Sequence, residues 1–408
     1  MTNKIDFRVL FVSFGLILFL LAPGSLFWND TLLSAFPSDI TYPLWAPGIN
    51  YLDIYWLVCT CLILISGLPK KISFYFFVVS LIALLLVAWS FILIAVNGFD
   101  VSVYHDGFLM TYRIVILFFI FSFCARQNQL NVLVKVVSFC VFILVFISLG
   151  AVVIMGYEGV IGGRINLLGM GPNVSGDTVA IVFGLLIFLR KDINLSRPVF
   201  YISLLILSLY LPFTGSRRIL FYWFLLLFFY CFHVGAMRRF LTGLAIFVMV
   251  MASFSYLFLA DSFTDSSLIS IVRLFETFEQ IRTGELVDGR SDMYQTALGV
   301  IGSFPFGLGG SDWLIQTEMQ KIGVGSHTHN VFLQSYLKIG PLLFIPVVAA
   351  TLFFYRNNLR GVGYIWVIVF IQNMTGHGFW NQKYLLVVIL LLVISLRRIV
   401  KSENRFAR

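Results

Sequence analysis

Apolar stretches long enough to cross a lipid bilayer recur along almost the whole chain, and this repetition constrains the fold most strongly. A membrane-spanning helix needs about 20 mostly apolar residues to cross roughly 30 Å of hydrocarbon. Twelve segments approach or meet that length: 8–28, 51–67, 73–97, 107–124, 131–155, 174–189, 197–213, 218–234, 239–260, 330–355, 362–379 and 383–400. The sequence therefore predicts an all-α polytopic membrane protein with about twelve transmembrane helices.

The composition excludes the common soluble classes. Of the 408 residues, 60% are hydrophobic and 12% are charged, whereas a globular protein has about 45–50% apolar and 25% charged residues. A net charge of +9 would suggest nucleic-acid binding in a soluble protein, but here it indicates basic cytoplasmic loops, and no nucleic-acid partner is expected. All five cysteines lie in predicted spans, so no disulfide framework is expected.

The cations alternate between successive loops, which predicts the topology. Eighteen of the 28 Lys and Arg residues fall in one set of loops and at both termini, and the positive-inside rule makes this set cytoplasmic. On the other side, loops 29–50 and 98–106 contain no Lys or Arg. Both termini are therefore predicted to lie in the cytoplasm.

One outer loop is long enough to form structure of its own. The resulting parts are nine spans in 1–260, a large periplasmic loop in 261–329, and three spans with a cytoplasmic tail in 330–408. Within the loop, the spacing of apolar residues in 267–282 predicts a helix lying on the membrane surface. A second helix is predicted after Asp288, its N-cap, through residue 303. The glycines and the proline of 304–313 exclude a continuous helix there.

Ten Lys and Arg residues are exceptions to the positive-inside rule because they lie on or near the predicted outer side. They are Arg113, Arg164, Arg217, Arg218, Arg273, Arg282, Arg290, Lys321, Lys338 and Lys383. Two of them stand in the very short turn TGSRR, residues 214–218, between two spans. Cations held so close to a membrane are expected to pair with an anion; anchoring to lipid phosphates is the simpler alternative. Carboxylates are sparse, with Asp53 and Asp177 near the outer ends of spans.

Two histidines stand where the large loop enters the tenth span, in His327-Thr328-His329-Asn330. A histidine, with an ordinary pKa of about 6.5, can accept and return a proton near neutral pH; a structural histidine at a helix entrance is the competing interpretation. The spacing matches no structural zinc site and no Cys, Asp or Glu is near, so no metal is expected. A second outer loop, 156–176, is rich in glycine, which allows close approach to a ligand, but lacks a P-loop ending.

Several of these motifs occur in an order typical of a known family. Gly289-Arg290 with the helix after it, SFPFGLGG, and His329-Asn330 with FLQSYLKIGPL together resemble the signature of the O-antigen ligase and polymerase superfamily. GGRINLLGMGPNVSG and TGSRR resemble segments that precede it. The resemblance covers about residues 160–345. It implies a metal-independent, GT-C-like glycosyltransferase of the bacterial inner membrane, without a cofactor, that uses undecaprenyl-diphosphate-linked sugars at the periplasmic face.

The resemblance also implies roles for individual residues. His329 is the base for the acceptor hydroxyl, and arginines hold the diphosphate. The catalytic residues so implied are His329, Arg290 and Arg217. The substrate-binding residues so implied are Arg218, Arg164, Asn330, Asn173 and His327. The chain departs from the family pattern at Pro341, where a second glycine is commoner, and in its doubled arginine, which leaves open which of the two takes the family role.

Three functions compete for this sequence. An O-antigen polymerase transfers the growing glycan onto the next lipid-linked repeat unit, whereas a ligase transfers it to lipid A-core; the high aromatic content and compact outer loops favour the polymerase. A lipid-linked oligosaccharide flippase is disfavoured because such a transporter is expected to have two related halves. The expected partners are undecaprenyl-diphosphate-linked repeat units, membrane lipid and a chain-length-regulating polysaccharide co-polymerase.

Overall fold

The computed structural model describes residues 6–21, 51–65, 74–99, 105–126, 129–155, 172–190, 192–214, 217–236, 238, 241, 290–309, 312–322, 330–341, 345, 348–349, 352–353, 356, 361–375 and 382–406. Over these residues it is all-helical, which confirms the all-α part of the predicted class. The helices are α1 (Phe7–Leu21), α2 (Tyr51–Ile65), α3 (Phe74–Val96), α4 (His105–Arg126), α5 (Leu130–Met155), α6 (Pro172–Leu189), α7 (Arg197–Phe213), α8 (Arg217–Val234), α9 (Arg290–Ser303), α10 (Asp312–Ile322), α11 (Val331–Ile339), α12 (Val362–Thr375) and α13 (Gln382–Phe406).

The helices follow the predicted apolar segments closely. Among the described residues, one stretch, Leu130–Gly150 of α5, is long and apolar enough to cross a membrane, with a mean hydropathy of 2.8. Seven further described helices are apolar over 10–17 residues. The structure is thus compatible with a helical membrane protein, while the count of twelve spans stays a prediction. The predicted span 239–260 and surface helix 267–282 lie outside the described residues.

Helix α6 lies at the centre of the bundle. Every side chain from Val174 to Ile187 is buried, and the helix packs against α5, α7, α8, α12 and α13. A helix enclosed on all sides leaves its side chains no path to water. Any polar side chain on α6 is therefore forced into the protein interior, where it needs a partner.

The predicted continuous span 330–355 is wrong at Gly340. Helix α11 ends at Ile339, and Gly340 takes a left-handed φ of 64° that a continuous helix does not allow. The cause is close packing: a Cβ at Gly340 would collide with the main-chain oxygen of Phe306. The helix that begins after Asn330 is therefore short, and the predicted span is interrupted at this glycine.

The described part of the large loop, which the sequence predicts on the outer side, has its own small core. Ala297, Val300, Leu308, Ile315, Met319 and Leu337 form an apolar cluster between α9, α10 and α11. Helix α9 confirms the helix predicted after Asp288, and residues 304–309 are non-helical as their glycines and proline indicate. This cluster fixes α9 and α10 against α11 and so gives that part of the loop a defined place beside the bundle.

Candidate functional site

A buried ion pair joins α8 to the central helix α6. Arg218 Nη2 donates to Asp177 Oδ2 at 2.7 Å, and the two side chains are 16% and 1% exposed. Among the described residues, no donor reaches Asp177 Oδ1. Because a buried carboxylate without a cation is strongly unfavourable, this contact ties the turn at residues 214–218 to α6.

Two neighbours of Asp177 make further contacts with the segments on either side of the turn. Ser175 hydrogen-bonds through its side chain to Tyr210, near the end of α7. Gly176 lies so close to Ile219 of α8 that a Cβ would stand 3.0 Å from Ile219 Cγ1 and closer still to Cδ1. Three consecutive residues of α6 therefore hold both sides of the turn.

A hydrogen-bonded chain extends from Asp177 to the two C-terminal helices. Gln372 of α12 donates from Nε2 to the main-chain oxygen of Asp177 at 3.2 Å. The hydroxyl of Tyr384 in α13 donates to Gln372 Oε1 at 2.9 Å, and both residues are buried. Ends of α6, α8, α12 and α13 that the predicted topology places on one side thus meet around a single polar cluster.

A second arginine–carboxylate pair lies between α2 and α4. Arg113 Nε donates to Asp53 Oδ1 at 2.7 Å and Arg113 Nη2 donates to Oδ2 at 2.6 Å. The Tyr112 hydroxyl donates to the main-chain oxygen of Asp53 at 3.0 Å. This fork-to-fork geometry is the strongest form of the contact. Three of the ten cations predicted on the outer side, Arg113, Arg218 and Lys321, therefore pair with protein carboxylates, and the sequence pattern indicated none of these pairings.

The turn after α9 is docked on the end of α11. The main-chain N–H groups of Leu308 and Gly309 donate to the carbonyls of Leu337 and Lys338, each at 2.7 Å. Gly307 has a φ of 96°, and a Cβ there would stand 2.6 Å from the Gly340 nitrogen. These bonds satisfy carbonyls at the end of α11 that have no partner within the helix, so the glycines of the turn hold α11 in place.

The other end of α11 begins at the predicted site motif. Asn330 is the N-cap, and its side-chain oxygen accepts from the Leu333 N–H at 3.1 Å. A buried polar stripe then runs along the helix, formed by Gln334, Ser335 and Lys338 at three- and four-residue steps. The charge pattern identified Lys338 as an outer cation but did not reveal the stripe.

The predicted site residues divide into two groups in the structure. Arg217 is the first residue of α8 and Arg218 the second; Asn173 lies in the first turn of α6, against which α8 packs. Arg290 begins α9 and Asn330 caps α11, and these two helices also contact each other. Helix α12 contacts α6, α8 and α11 and so connects the two groups. Arg164, His327 and His329 lie outside the described residues.

The residues that sequence reasoning missed are the ones that support the site. Asp177, Gln372 and Tyr384 connect four helices, and Ser175 and Gly176 press against the turn. A signal was available: Asp177 and Gln372 are polar residues inside apolar segments, where a polar side chain needs a partner. Within the described part of the chain, no group of three or more His, Cys, Asp or Glu is arranged to hold a metal ion.

Comparison with known proteins supports the motif-based resemblance. Residues 202–348 match a family model described as O-antigen ligase. The matched segment contains the 214–218 turn, Arg290, the turn after α9 and the His329-Asn330 motif, so the predicted resemblance to the O-antigen ligase and polymerase superfamily is confirmed. A comparison with curated proteins gave no match.

Proposed function

We propose that this protein is a membrane glycosyltransferase that polymerises a surface polysaccharide on undecaprenyl diphosphate. The family match over residues 202–348 is the observation that carries the proposal, since members of that family act on lipid-linked glycans. The growing glycan is transferred from its carrier onto the next lipid-linked repeat unit at the periplasmic face. No metal ion or cofactor takes part in the proposed reaction.

The reaction requires a cationic grip on the leaving group. The acceptor hydroxyl oxygen bonds to the anomeric carbon of the donor glycan while the bond from that carbon to the diphosphate oxygen breaks. The diphosphate keeps the electron pair, and its charge grows in the transition state. Guanidinium groups suit this charge because their donors form a planar fork that matches phosphate oxygens. We assign this role to Arg217 and Arg290, with Arg164 as an auxiliary cation.

Helix geometry supports the assignment of Arg217. The residue is the first of an 18-residue helix, α8, and helix N-termini favour anions through their free N–H groups and the helix dipole. Arg290 likewise is the first residue of α9. Both arginines therefore stand, in the chain, beside main-chain N–H groups at the start of a helix.

His329 is proposed as the base that takes the proton of the acceptor hydroxyl. General bases of this kind contribute about 10²–10⁴-fold to rate. Asn330, the next residue, begins α11, whose far end is fixed by the glycine turn. The proposed substrate-binding residues Asn330, Asn173 and His327 come from the same motifs. His329→Ala is expected to abolish elongation; wild-type elongation by this variant would overturn the assignment.

The second candidate function is that of an O-antigen ligase, which the description of the matching family favours. Both reactions use the same donor and differ in the acceptor. Deleting the gene and separating lipopolysaccharide by gel electrophoresis distinguishes them. Loss of a polymerase leaves core carrying one repeat unit, whereas loss of a ligase leaves bare core. Elongation of purified lipid-linked repeat by the reconstituted protein alone would support the polymerase, and its absence with intact transfer to lipid A-core would support the ligase.

A further inference from the structure

Three consecutive residues of α6 contact the chain segment 210–219, which includes the 214–218 turn. Ser175, Gly176 and Asp177 each contact a different residue of the segment 210–219, namely Tyr210, Ile219 and Arg218. Consecutive residues of a helix lie about 100° apart around its axis. For three residues in a row to touch one segment, α7 and α8 must lie on different sides of this end of α6.

We infer that Asp177 is a positioning residue for the diphosphate site, acting through Arg218. This inference rests on the proposed function, since it concerns the same site. Arg218 is held by the protein through Asp177 and serves as the anchor. Arg217, one residue earlier at the start of α8, is the phosphate ligand. Of the two adjacent arginines, Arg218 has the structural role and Arg217 the ligand-binding role.

Stability alone is a poor reason for a carboxylate at this place. Asp177 stands on a helix whose side chains are otherwise buried among apolar neighbours from Val179 to Ile187. Replacing a buried ion pair by well-packed hydrophobic residues is often neutral or stabilising. A charge in such a place is therefore better explained by a role in function.

The benefit of the arrangement is preorganisation. A binding site whose backbone is already held in place when the substrate arrives avoids part of the ordering cost of binding. Asp177 fixes Arg218 before any substrate arrives, and Gln372 and Tyr384 fix the α6 backbone at Asp177. The position of the first turn of α8 is therefore fixed by contacts among α6, α8, α12 and α13, and not only by the short 214–218 turn that precedes it.

The test measures binding of undecaprenyl diphosphate, the sugar-free carrier, to the full-length protein in lipid nanodiscs. Asp177→Asn keeps the side-chain shape and removes the charge; we expect the folded protein to bind the carrier about tenfold more weakly, with an unfolding temperature lowered no further than that of Asp53→Asn, since each change breaks one buried ion pair. Asp53→Asn is the matched control and is expected to bind the carrier as the wild type does. Elongation by Asp177→Asn is expected to fall about 10²-fold through kcat, because the site is misplaced rather than absent.

A double-mutant cycle shows whether Asp177 acts through Arg218. Asp177→Asn/Arg218→Gln is expected to bind the carrier no more weakly than Arg218→Gln alone. Additive losses would overturn the inference. If Asp177→Asn does not fold, Asp177→Glu takes its place: weaker carrier binding at an unchanged unfolding temperature supports the inference, and wild-type affinity overturns it.

The outcomes separate the inference from the function on which it rests. Wild-type affinity of Asp177→Asn, with a wild type that binds the carrier, overturns the positioning role and leaves the proposed function standing. A wild-type protein that neither binds the carrier nor transfers glycan overturns both.

Discussion

Two buried arginine–carboxylate pairs fasten helices of this protein, and they differ in how the carboxylate is used. Between α2 and α4, both oxygens of Asp53 accept from Arg113. Between α6 and α8, one oxygen of Asp177 accepts from Arg218, and no described residue donates to the other. The first pair is a closed structural contact outside the segment that matches the family model. In the second pair, Arg218 lies inside that segment and Asp177 precedes it, and the pair supports the turn on which the proposed chemistry depends.

A buried ion pair can therefore either stabilise the fold or position a functional residue, and the geometry of the pair distinguishes these two roles. A fork-to-fork pair gains the most from its own partner. In the Asp177–Arg218 pair, one carboxylate oxygen accepts from the arginine, and the main chain of Asp177 is also bonded to Gln372. Such a pair can hold the start of α8 in position in addition to stabilising the fold. If this distinction is right, changes at the two places have opposite consequences for folding and for activity.

After His329→Ala, the largest effect on activity is expected for Arg217→Ala, with the protein still inserted and folded. Removing one preorganised donor to a developing anion costs about 2.7–4 kcal/mol, or 10²–10³-fold in rate. Elongation of a purified lipid-linked repeat measures the loss. Activity within twofold of the wild type would show that Arg217 is not a phosphate ligand.

The largest effect on stability is expected for Arg113→Ala, which leaves the buried Asp53 charge uncompensated. Breaking a buried ion pair in this way costs about 3–5 kcal/mol. Thermal unfolding in detergent is expected to show the loss, while the surviving folded protein elongates glycan at the wild-type rate. A stable but inactive Arg113→Ala protein would place this pair in the active site and remove the distinction between the two pairs.

Replacing each whole pair by apolar residues sharpens the comparison further. Asp53→Leu/Arg113→Met is expected to recover the stability lost on breaking the pair and to keep activity. Asp177→Leu/Arg218→Met is expected to be equally stable and to lose elongation, because no charge then anchors the turn. Equal activity of the two double variants would contradict the positioning role of Asp177.

A smaller effect is expected at the glycine turn that holds α11. Gly307→Ala forces a side chain into a φ of 96° and against the Gly340 nitrogen, which is expected to cost about 1–3 kcal/mol. Gly302→Ala is the matched control because nothing lies within 4 Å of its Cβ position; it is expected to be neutral or slightly stabilising. Unfolding temperatures of the two variants check the prediction, and equal values would contradict it.

The smallest effect is expected for the pair Asp6–Arg8 at the start of α1, whose two partners lie two residues apart in the chain. Hydrogen bonds from Arg8 hold the pKa of the Asp6 carboxyl below its usual range. Its contribution to stability is therefore complete above the ordinary pKa of Asp, and is lost as pH falls through the lowered value. Asp6→Asn is expected to lose less than about 1 kcal/mol at neutral pH. A larger loss in the unfolding temperature would show that the pair does more than cap its own helix.

Much of the fold can be predicted from the sequence because apolar runs of helical length leave few alternatives. The described helices lie where the hydropathy pattern places them, and α9 begins after its predicted N-cap. The break at Gly340 was missed because it depends on a distant contact, the docking of residues 304–309, which local pattern does not contain. The residues implied by the family motifs stay predictions, because their roles depend on contacts with a substrate.

The support of the site was less predictable than its reactive residues. Arginines on the predicted outer side are visible in the sequence because they depart from the positive-inside rule. Asp177 violates no such rule at the end of a span, and Gln372 and Tyr384 are neutral. Their connection depends on which helix ends meet, and that is decided by packing around α6.

The most direct test of the central claim is a cryo-electron microscopy structure of the protein with bound undecaprenyl diphosphate. We expect diphosphate density contacted by the guanidinium groups of Arg217 and Arg290, with His329 beside the same pocket and Arg218 still held by Asp177. Arginines that point into separate headgroup regions, with the carrier bound elsewhere, would contradict the claim.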